Sequence, residues 1–97
     1  IDVELIDLRT IYPFDINAIL KSLEKTGKLV IIHEAPKTSG FGAEIAASVA
    51  EKGLDYLEAP IKRITGYDTA LPFAKMELDW IPSEERIIKG IKEVMDY

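Results

Sequence analysis

Cysteine and glutamine are absent from this 97-residue chain, and histidine, tryptophan and asparagine each occur only once. The absence of cysteine excludes disulfide bonds, thiolate catalysis and zinc sites with cysteine ligands. Small secreted domains usually depend on disulfides, so we expect a reducing compartment and a cytoplasmic protein. Because no apolar run approaches the roughly 18 residues that span a bilayer, we expect no membrane segment.

Positive charge is scarce as well. Twelve lysines and arginines stand against seventeen aspartates and glutamates, which gives a net charge of −5. No basic stripe is present to neutralise phosphates, so nucleic acids and anionic membranes are disfavoured as partners. The 47% of hydrophobic and 30% of charged residues are typical of a globular chain, and the length predicts one domain over residues 1–97.

Segments that favour β-structure alternate along the chain with segments of helical periodicity. We predict strands at residues 3–8, 29–32 and 61–65, and the continuous apolar run of the second predicts a central strand covered on both faces. The order of elements, βα-βα-βα, predicts an α/β fold of three layers, α/β/α, with a mainly parallel sheet. Residues 73–80 are compatible with either a short helix or an irregular segment.

Three amphipathic helices are predicted between and after these strands. Asp15 is the expected N-cap of the first helix, which should end at Gly27, and Ser83 is the expected N-cap of the last. The middle helix should run from about Gly42 to Gly53. The predicted apolar stripes are Ile16, Ile19, Leu20 and Leu23 in the first helix, Ile45, Ala46, Val49 and Ala50 in the second, and Ile87, Ile88, Ile91, Val94 and Met95 in the third.

The only histidine, His33, is followed by Glu34 at the carboxyl end of the predicted central strand. Ligands of open α/β sheets bind outside that edge, where a histidine could act as a general base or contact a substrate. Adjacent strand residues point to opposite faces, so the two side chains need not form a dyad. His33 is the one candidate catalytic residue. The alternative is a packed, hydrogen-bonded histidine, and no complete catalytic or metal-binding set is expected.

The loop that follows carries two glycines, Gly40 and Gly42, at the start of the middle helix. Glycines in this position can cradle a phosphate, but Ile45 replaces the third glycine of a dinucleotide fingerprint and Glu44 would repel an anion. A tight turn from loop to helix is therefore favoured. A stand-alone module that binds a small molecule or an anion through the loop from His33 to Gly42 is the alternative function.

Carboxylates cluster before the third predicted strand, at Glu51, Asp55 and Glu58. Such a cluster is either a solvated face or a docking surface for a basic protein.

Aromatic side chains fall mostly in loops and at the end of the chain, where Tyr97 could anchor an interface. The aromatic residues in question are Tyr12, Tyr67, Phe73, Trp80 and Tyr97.

Three ordered stretches carry a family resemblance: residues 6–15, residues 25–45 with His-Glu-Ala-Pro and Gly-Phe-Gly-Ala-Glu, and residues 57–69 with Leu-Glu-Ala-Pro and Gly-Tyr-Asp-Thr. Together they resemble the C-terminal domain, of transketolase C-terminal type, of the β subunit of thiamine-diphosphate-dependent 2-oxo acid dehydrogenases. The motifs are more similar to branched-chain members than to pyruvate members. The Leu-Glu-Ala-Pro and Gly-Tyr-Asp-Thr segments argue against a transketolase or deoxyxylulose-phosphate synthase domain.

The resemblance implies a role in a parent enzyme whose decarboxylating component is an α2β2 assembly. Thiamine diphosphate and magnesium would bind between the α subunit and another domain of the β subunit, and no cofactor or metal ligand maps onto this chain. The domain would support assembly with the α subunit and the second β subunit, and would be inactive alone. It would also dock the basic subunit-binding domain of the acyltransferase component, at positions that match Glu58 and Tyr97.

One departure from the family concerns the region before Ile1, where members carry a further strand and helix. Their lack here implies a fragment of a longer β subunit and explains the small number of predicted strands. An apolar edge or face of the sheet should then be exposed. We expect the fragment to self-associate through that surface.

Overall fold

A computed structural model describes residues 2–69 and 80–97. Its elements are helix α1 (Ile16–Thr26), strand β1 (Val30–Pro36), helix α2 (Phe41–Gly53), strand β2 (Lys62–Gly66) and helix α3 (Glu84–Met95). A 3-10 turn, Leu54–Tyr56, follows α2 directly. Of the segment 73–80, which the sequence left open between helix and irregular structure, all but Trp80 lies outside the described residues.

The two strands form a parallel pair. Val30 lies opposite Lys62, Ile32 opposite Ile64, and Pro36 opposite Gly66. Between its last two paired positions β1 advances four residues where β2 advances two, so β1 carries an irregular, bulged segment at its carboxyl end. His33 lies within this segment.

The predicted first strand, residues 3–8, is wrong. These residues form no strand, and Leu5 is 87% exposed. The segment lies against the outer face of α1, where Glu4 forms an ion pair with Lys25 and Ile6 lines a shallow groove beside Ala18. A strand needs a hydrogen-bonded neighbour, and no described residue pairs with this segment. The part of the chain that the structure describes therefore has a two-stranded sheet instead of the three strands predicted.

The three-layer α/β/α arrangement is confirmed. Helices α1 and α2 pack together, and α2 covers the face of the sheet that carries Ile31. Helix α3 packs on both strands from the other side, where Gly90 lies against Ile64. The main core lies between α1, α2 and β1 and consists of Ile19, Leu23, Ile31, Ile45 and Val49.

The capping residues predicted at three helix ends are confirmed. Asp15 accepts a hydrogen bond from the Ala18 amide at 3.0 Å, and Ser83 accepts one from the Arg86 amide at 3.2 Å. Gly27 ends α1 with φ of 76°, a left-handed conformation that glycine adopts without strain. All three roles agree with the sequence-based predictions.

Burial departs from the predictions at the edges of the fold. Ile32 is 44% exposed, so β1 is not covered on both faces as predicted, because α3 alone covers little of that face. Ala50 is exposed and does not belong to the buried stripe of α2. Ile88 and Met95 are likewise exposed on α3, whose buried contacts come from Gly90 and Val94. No helix within residues 2–69 and 80–97 has the length and hydropathy needed to cross a bilayer.

Candidate functional site

The loops after β1 and β2 meet at the carboxyl edge of the sheet. The carboxylate of Asp68 accepts hydrogen bonds from the Thr38 amide at 2.8 Å and from the Thr38 hydroxyl at 2.5 Å. These bonds, the one from the Thr38 hydroxyl first, hold the pKa of Asp68 below its ordinary value, and the Lys37 amide contributes further. We call this pair the Thr38–Asp68 clasp. It joins the two loops at the edge where a ligand of an open sheet would enter.

His33, on β1, faces the start of α2. A Cβ atom at Gly42 would overlap its Nε2 atom, and one at Gly40 would lie 3.0 Å from its Cε1 atom. Both ring nitrogens are buried and find no hydrogen-bond partner within the described residues. The ring is packed, as one interpretation of the sequence had it, but it lacks the expected hydrogen bond. A chemical role for His33 stays a prediction, and exposed Glu34 forms no hydrogen bond with it in the described structure.

The start of α2 is a tight turn. A Cβ atom at Gly40 would overlap the carbonyl oxygen of Pro36, and the Ala43 amide donates to the Gly40 carbonyl at 3.0 Å. Glu44 occupies the first turn and is exposed. Glycine is needed here because two stretches of backbone approach closely, which supports the tight turn over a phosphate cradle. The same closeness disfavours the alternative of an anion-binding module built on the loop from His33 to Gly42.

Arg86, which the sequence analysis did not single out, organises the outer edge of β2. Its Nη2 atom donates to the Thr65 carbonyl at 2.7 Å, and its guanidinium carbon lies 4.8 Å from the centre of the Tyr67 ring. Arg63 donates to the Lys37 carbonyl at 2.9 Å. Only the helical spacing of Arg86 and Lys89 on α3 could have indicated that they share a face.

These arginines belong to a groove of about 430 Å³ that runs between the outer edge of β2 and α3. We call it the basic groove. Its cations are Lys37, Lys62, Arg63, Arg86 and Lys89. Its acidic residues are Asp68 and Glu93, and the latter forms an ion pair with Lys62 at 2.5 Å. Hydrogen bonding and charge from Lys62 hold the pKa of Glu93 below its ordinary value.

The two predicted docking residues both lie at the opposite, amino edge of the sheet. The Glu58 amide donates to the Gly27 carbonyl at 2.7 Å, and its carboxylate rests over Gly27. The neighbouring Lys28 reaches the Met95 carbonyl at 3.4 Å, at the end of α3, where Tyr97 is 78% exposed. Gly27 and Lys28 thus connect the surroundings of Glu58 and Tyr97. Glu58 forms no ion pair with any described residue.

The predicted carboxylate cluster surrounds the 3-10 turn next to Glu58. Glu51, Asp55 and Glu58 are all exposed, and the turn adds the exposed apolar side chains of Leu54 and Tyr56. We call these five residues the acidic patch. A patch that mixes carboxylates with exposed apolar side chains has the composition of a docking surface with a charged rim.

The remaining aromatic residues divide between core and surface. Trp80 is buried and its indole nitrogen donates to the Thr69 hydroxyl at 3.1 Å, so it helps fix the loop after β2. Tyr12 and Tyr67 are exposed. Phe73 lies outside the described residues. Within residues 2–69 and 80–97, no three histidine, aspartate or glutamate side chains converge as metal ligands.

Fold and site define a small parallel α/β/α domain that presents an acidic patch at one sheet edge and a clasped pair of loops at the other. Residues 1–87 match the family model of the transketolase C-terminal domain. The chain belongs to this family.

Relatives that match over almost the whole chain are β subunits of two kinds of dehydrogenase. The chain is 47% identical over 97 residues, all of its length, to the mitochondrial 2-oxoisovalerate dehydrogenase subunit beta of Dictyostelium discoideum. It is 43% identical over 95 residues, 98% of its length, to the pyruvate dehydrogenase E1 component subunit beta of Staphylococcus epidermidis, and 42% identical over the same length to that of Staphylococcus aureus. The chain spans 26% of the first relative and 29% of the other two.

Proposed function

We propose that the chain is the C-terminal assembly and docking domain of the β subunit of a 2-oxo acid dehydrogenase. The observation that carries the proposal is the 47% identity, over all 97 residues, to a β subunit of this class. The parent enzyme would oxidatively decarboxylate a 2-oxo acid and pass the acyl group to a lipoyl group. A branched-chain 2-oxo acid is the preferred substrate class and pyruvate the alternative, since relatives of both kinds match with similar identity.

Thiamine diphosphate and magnesium belong to the proposed parent enzyme and supply its decarboxylation chemistry when bound. The residues described here do not fit them. His33 is enclosed by the start of α2, the Gly40 turn is closed by Pro36, and the described carboxylates do not converge. We therefore derive no catalytic step from this chain and expect it to be inactive alone. A cytoplasmic location remains part of the proposal, although the Dictyostelium relative is described as mitochondrial.

The docking role rests on the acidic patch and on Tyr97. Glu58 is exposed and lacks a cationic partner in the described part of the chain, so its charge is available to a basic protein. Leu54 and Tyr56 provide apolar area beside it, and Tyr97 lies at the same edge of the sheet. The proposed partner is the basic subunit-binding domain of the acyltransferase component.

Charge reversal at Glu58 tests this role. We expect Glu58→Lys to weaken binding of the basic subunit-binding domain by at least about tenfold, because a favourable charge pair becomes a repulsive one. Isothermal titration calorimetry at low salt measures the affinity. Glu34→Lys is the matched control, since it makes the same charge change on an exposed residue at the opposite edge of the sheet.

The outcome separates docking at the amino edge from general charge attraction. Unchanged affinity of Glu58→Lys at low salt would remove Glu58 from the docking surface. An equal loss in Glu34→Lys would mean that only the net charge of the chain matters. Tyr97→Ala should weaken binding without changing its salt dependence, because an exposed aromatic anchor contributes buried area and not charge.

Assembly is the second part of the proposed role and involves the α subunit and a second β subunit. Val3, Leu5, Ile11 and Tyr12 expose a run of apolar side chains along the segment that lies over α1. We propose that the isolated chain self-associates through this segment. Sedimentation velocity should show a dimer or larger species that Leu5→Glu converts to monomer. A monomer at millimolar concentration would contradict this proposal and leave the docking role untouched.

A further inference from the structure

The basic groove stands out because the chain as a whole is acidic. The net charge of the chain is −5, yet five cations and two carboxylates line this one groove. It lies along the outer edge of β2, on the side away from β1, and α3 forms its other wall. The acidic patch at the 3-10 turn is a separate surface, so the proposed docking role does not account for the groove.

Both carboxylates of the groove are already engaged. Glu93 forms an ion pair with Lys62, and Asp68 accepts the hydrogen bonds of the Thr38–Asp68 clasp. The two arginines donate to backbone carbonyls, which are neutral. Lys37 and Lys89 form no ion pair with any residue in the described ranges. In addition to the side-chain hydrogen bonds from Thr38 and Lys62, the charges of Lys37 and Lys89 act on Asp68 and Glu93 and lower the pKa of these carboxylates. The five cations and two carboxylates leave the groove with a net charge of +3.

The guanidinium group of Arg86 is pre-organised to bind an anion. Its position over the Tyr67 ring and its bonds to the carbonyl oxygens of Thr65 at 2.7 Å and Ile81 at 3.5 Å fix the guanidinium plane, and its other N–H groups keep their capacity to donate. Because less side-chain freedom is lost on binding, a pre-arranged arginine favours recognition of a carboxylate. Thr65 is only 3% exposed, so the edge of β2 is closed there to an added strand. A ligand of the basic groove would therefore be recognised by side chains and not by the backbone of β2.

The cations are spread along the groove. Arg63 donates to the Lys37 carbonyl, so these two cations and Arg86 lie near the carboxyl end of β2, whereas Lys62 lies at its start and Lys89 is three residues beyond Arg86 on α3. Five strand residues span roughly 16 Å. A single small anion would meet only part of this series, whereas an extended chain with several carboxylates meets all of it. We propose that the basic groove binds an extended, acidic polypeptide segment of a partner protein.

A labelled eight-residue peptide of alternating glutamate and threonine is a suitable probe for the full 97-residue chain. Fluorescence anisotropy should show saturable binding that weakens as NaCl rises from about 50 to about 200 mM. The double variant Lys37→Glu/Lys89→Glu should bind at least about tenfold more weakly. The matched control, Lys52→Glu/Lys92→Glu, makes the same charge change on two exposed residues outside the groove and should stay within about twofold.

The other arms of the experiment can overturn the proposal. A peptide with glutamine in place of glutamate should not bind, and comparable affinity for it would mean that charge does not drive recognition. Equal weakening by Lys52→Glu/Lys92→Glu and by Lys37→Glu/Lys89→Glu would show long-range attraction without a site. Tighter binding of a single-stranded DNA oligomer with the same number of charges would assign the groove to nucleic acid. Absence of peptide binding at low salt would end the proposal, and none of these results bears on docking at Glu58.

Discussion

The two ends of the parallel sheet differ in how many side chains cross-link them. At the carboxyl edge, the Thr38–Asp68 clasp and the bonds from Arg63 and Arg86 join the loops to one another and to β2. At the amino edge, Lys28 reaches the Met95 carbonyl at 3.4 Å, and Lys62 at the start of β2 pairs with Glu93 on α3 at 2.5 Å. The edge that open α/β sheets use for ligands is thus closed by the domain's own contacts. The opposite edge leaves Glu58 and Tyr97 exposed.

This difference suits a domain that binds partners and leaves the chemistry to other parts of an enzyme. A ligand site needs converging polar groups with free hydrogen-bonding capacity. At the carboxyl edge Thr38 and Asp68 bond to each other, and His33 is enclosed by Gly40 and Gly42. The acidic patch instead combines exposed apolar side chains with carboxylates that form no ion pair within the described part of the chain.

Among the variants that probe the two edges, one that fills the space beside His33 should have the largest effect on stability. A methyl group at Gly42 would overlap the imidazole and press on Ile31. We expect Gly42→Ala to lower the free energy of unfolding by about 1–3 kcal/mol, because overpacking outweighs the gain in helix propensity. Urea unfolding followed by circular dichroism measures the change.

A double variant identifies the cause. His33→Ala/Gly42→Ala should be more stable than Gly42→Ala alone, because removal of the ring makes room for the added methyl group. Stabilisation of the chain by about 1 kcal/mol in Gly42→Ala would mean that helix propensity alone determines the change in the free energy of unfolding. The ring of His33 would then leave room for the added methyl group. Binding at the acidic patch should be unaffected in both variants, since the patch lies at the other edge.

Local signals made much of this fold predictable. Asp15, Gly27 and Ser83 fixed helix ends through short-range hydrogen bonds and backbone conformation, which depend on a few neighbouring residues. Residues 3–8 failed because strand formation depends on a partner strand, and periodicity within one segment carries no information about its partner. The same limit applies to Ile32, whose apolar character could not reveal how much of its face α3 covers.

The site was less predictable than the fold. The position of His33 at the carboxyl end of β1 was foreseen, but its inward orientation arises in the bulged segment between Ile32 and Pro36, which no sequence pattern marked. The Thr38–Asp68 clasp joins residues 30 positions apart, and Arg86 reaches Thr65 across 21 positions. Such contacts follow from the packing of α3 and the loops on the sheet, and no local signal encodes them.

Removing the clasp should have a smaller effect, and its pH dependence reports on the carboxyl edge alone. The Thr38 bonds hold the pKa of Asp68 below the ordinary 3.8 in the folded chain. A lowered folded pKa means that the stability from the clasp is fully present above 3.8 and is lost as the pH falls through the folded pKa. Asp68→Asn should therefore destabilise the chain at neutral pH, and its deficit relative to the unchanged chain should shrink as the pH falls below 3.8.

Urea titrations across this pH range measure the deficit, with Asp55→Asn as the matched control. Asp55 is exposed on the 3-10 turn and accepts no hydrogen bond from a described residue, so its replacement removes the same charge without a clasp. Thr38→Val should reproduce the pH dependence of Asp68→Asn, because it removes the hydroxyl that contributes most to the lowered pKa. A deficit for Asp68→Asn that persists unchanged in acid, or one that Asp55→Asn matches, would mean that the clasp does not stabilise the carboxyl edge. The two edges would then differ in shape and not in how firmly their loops are held.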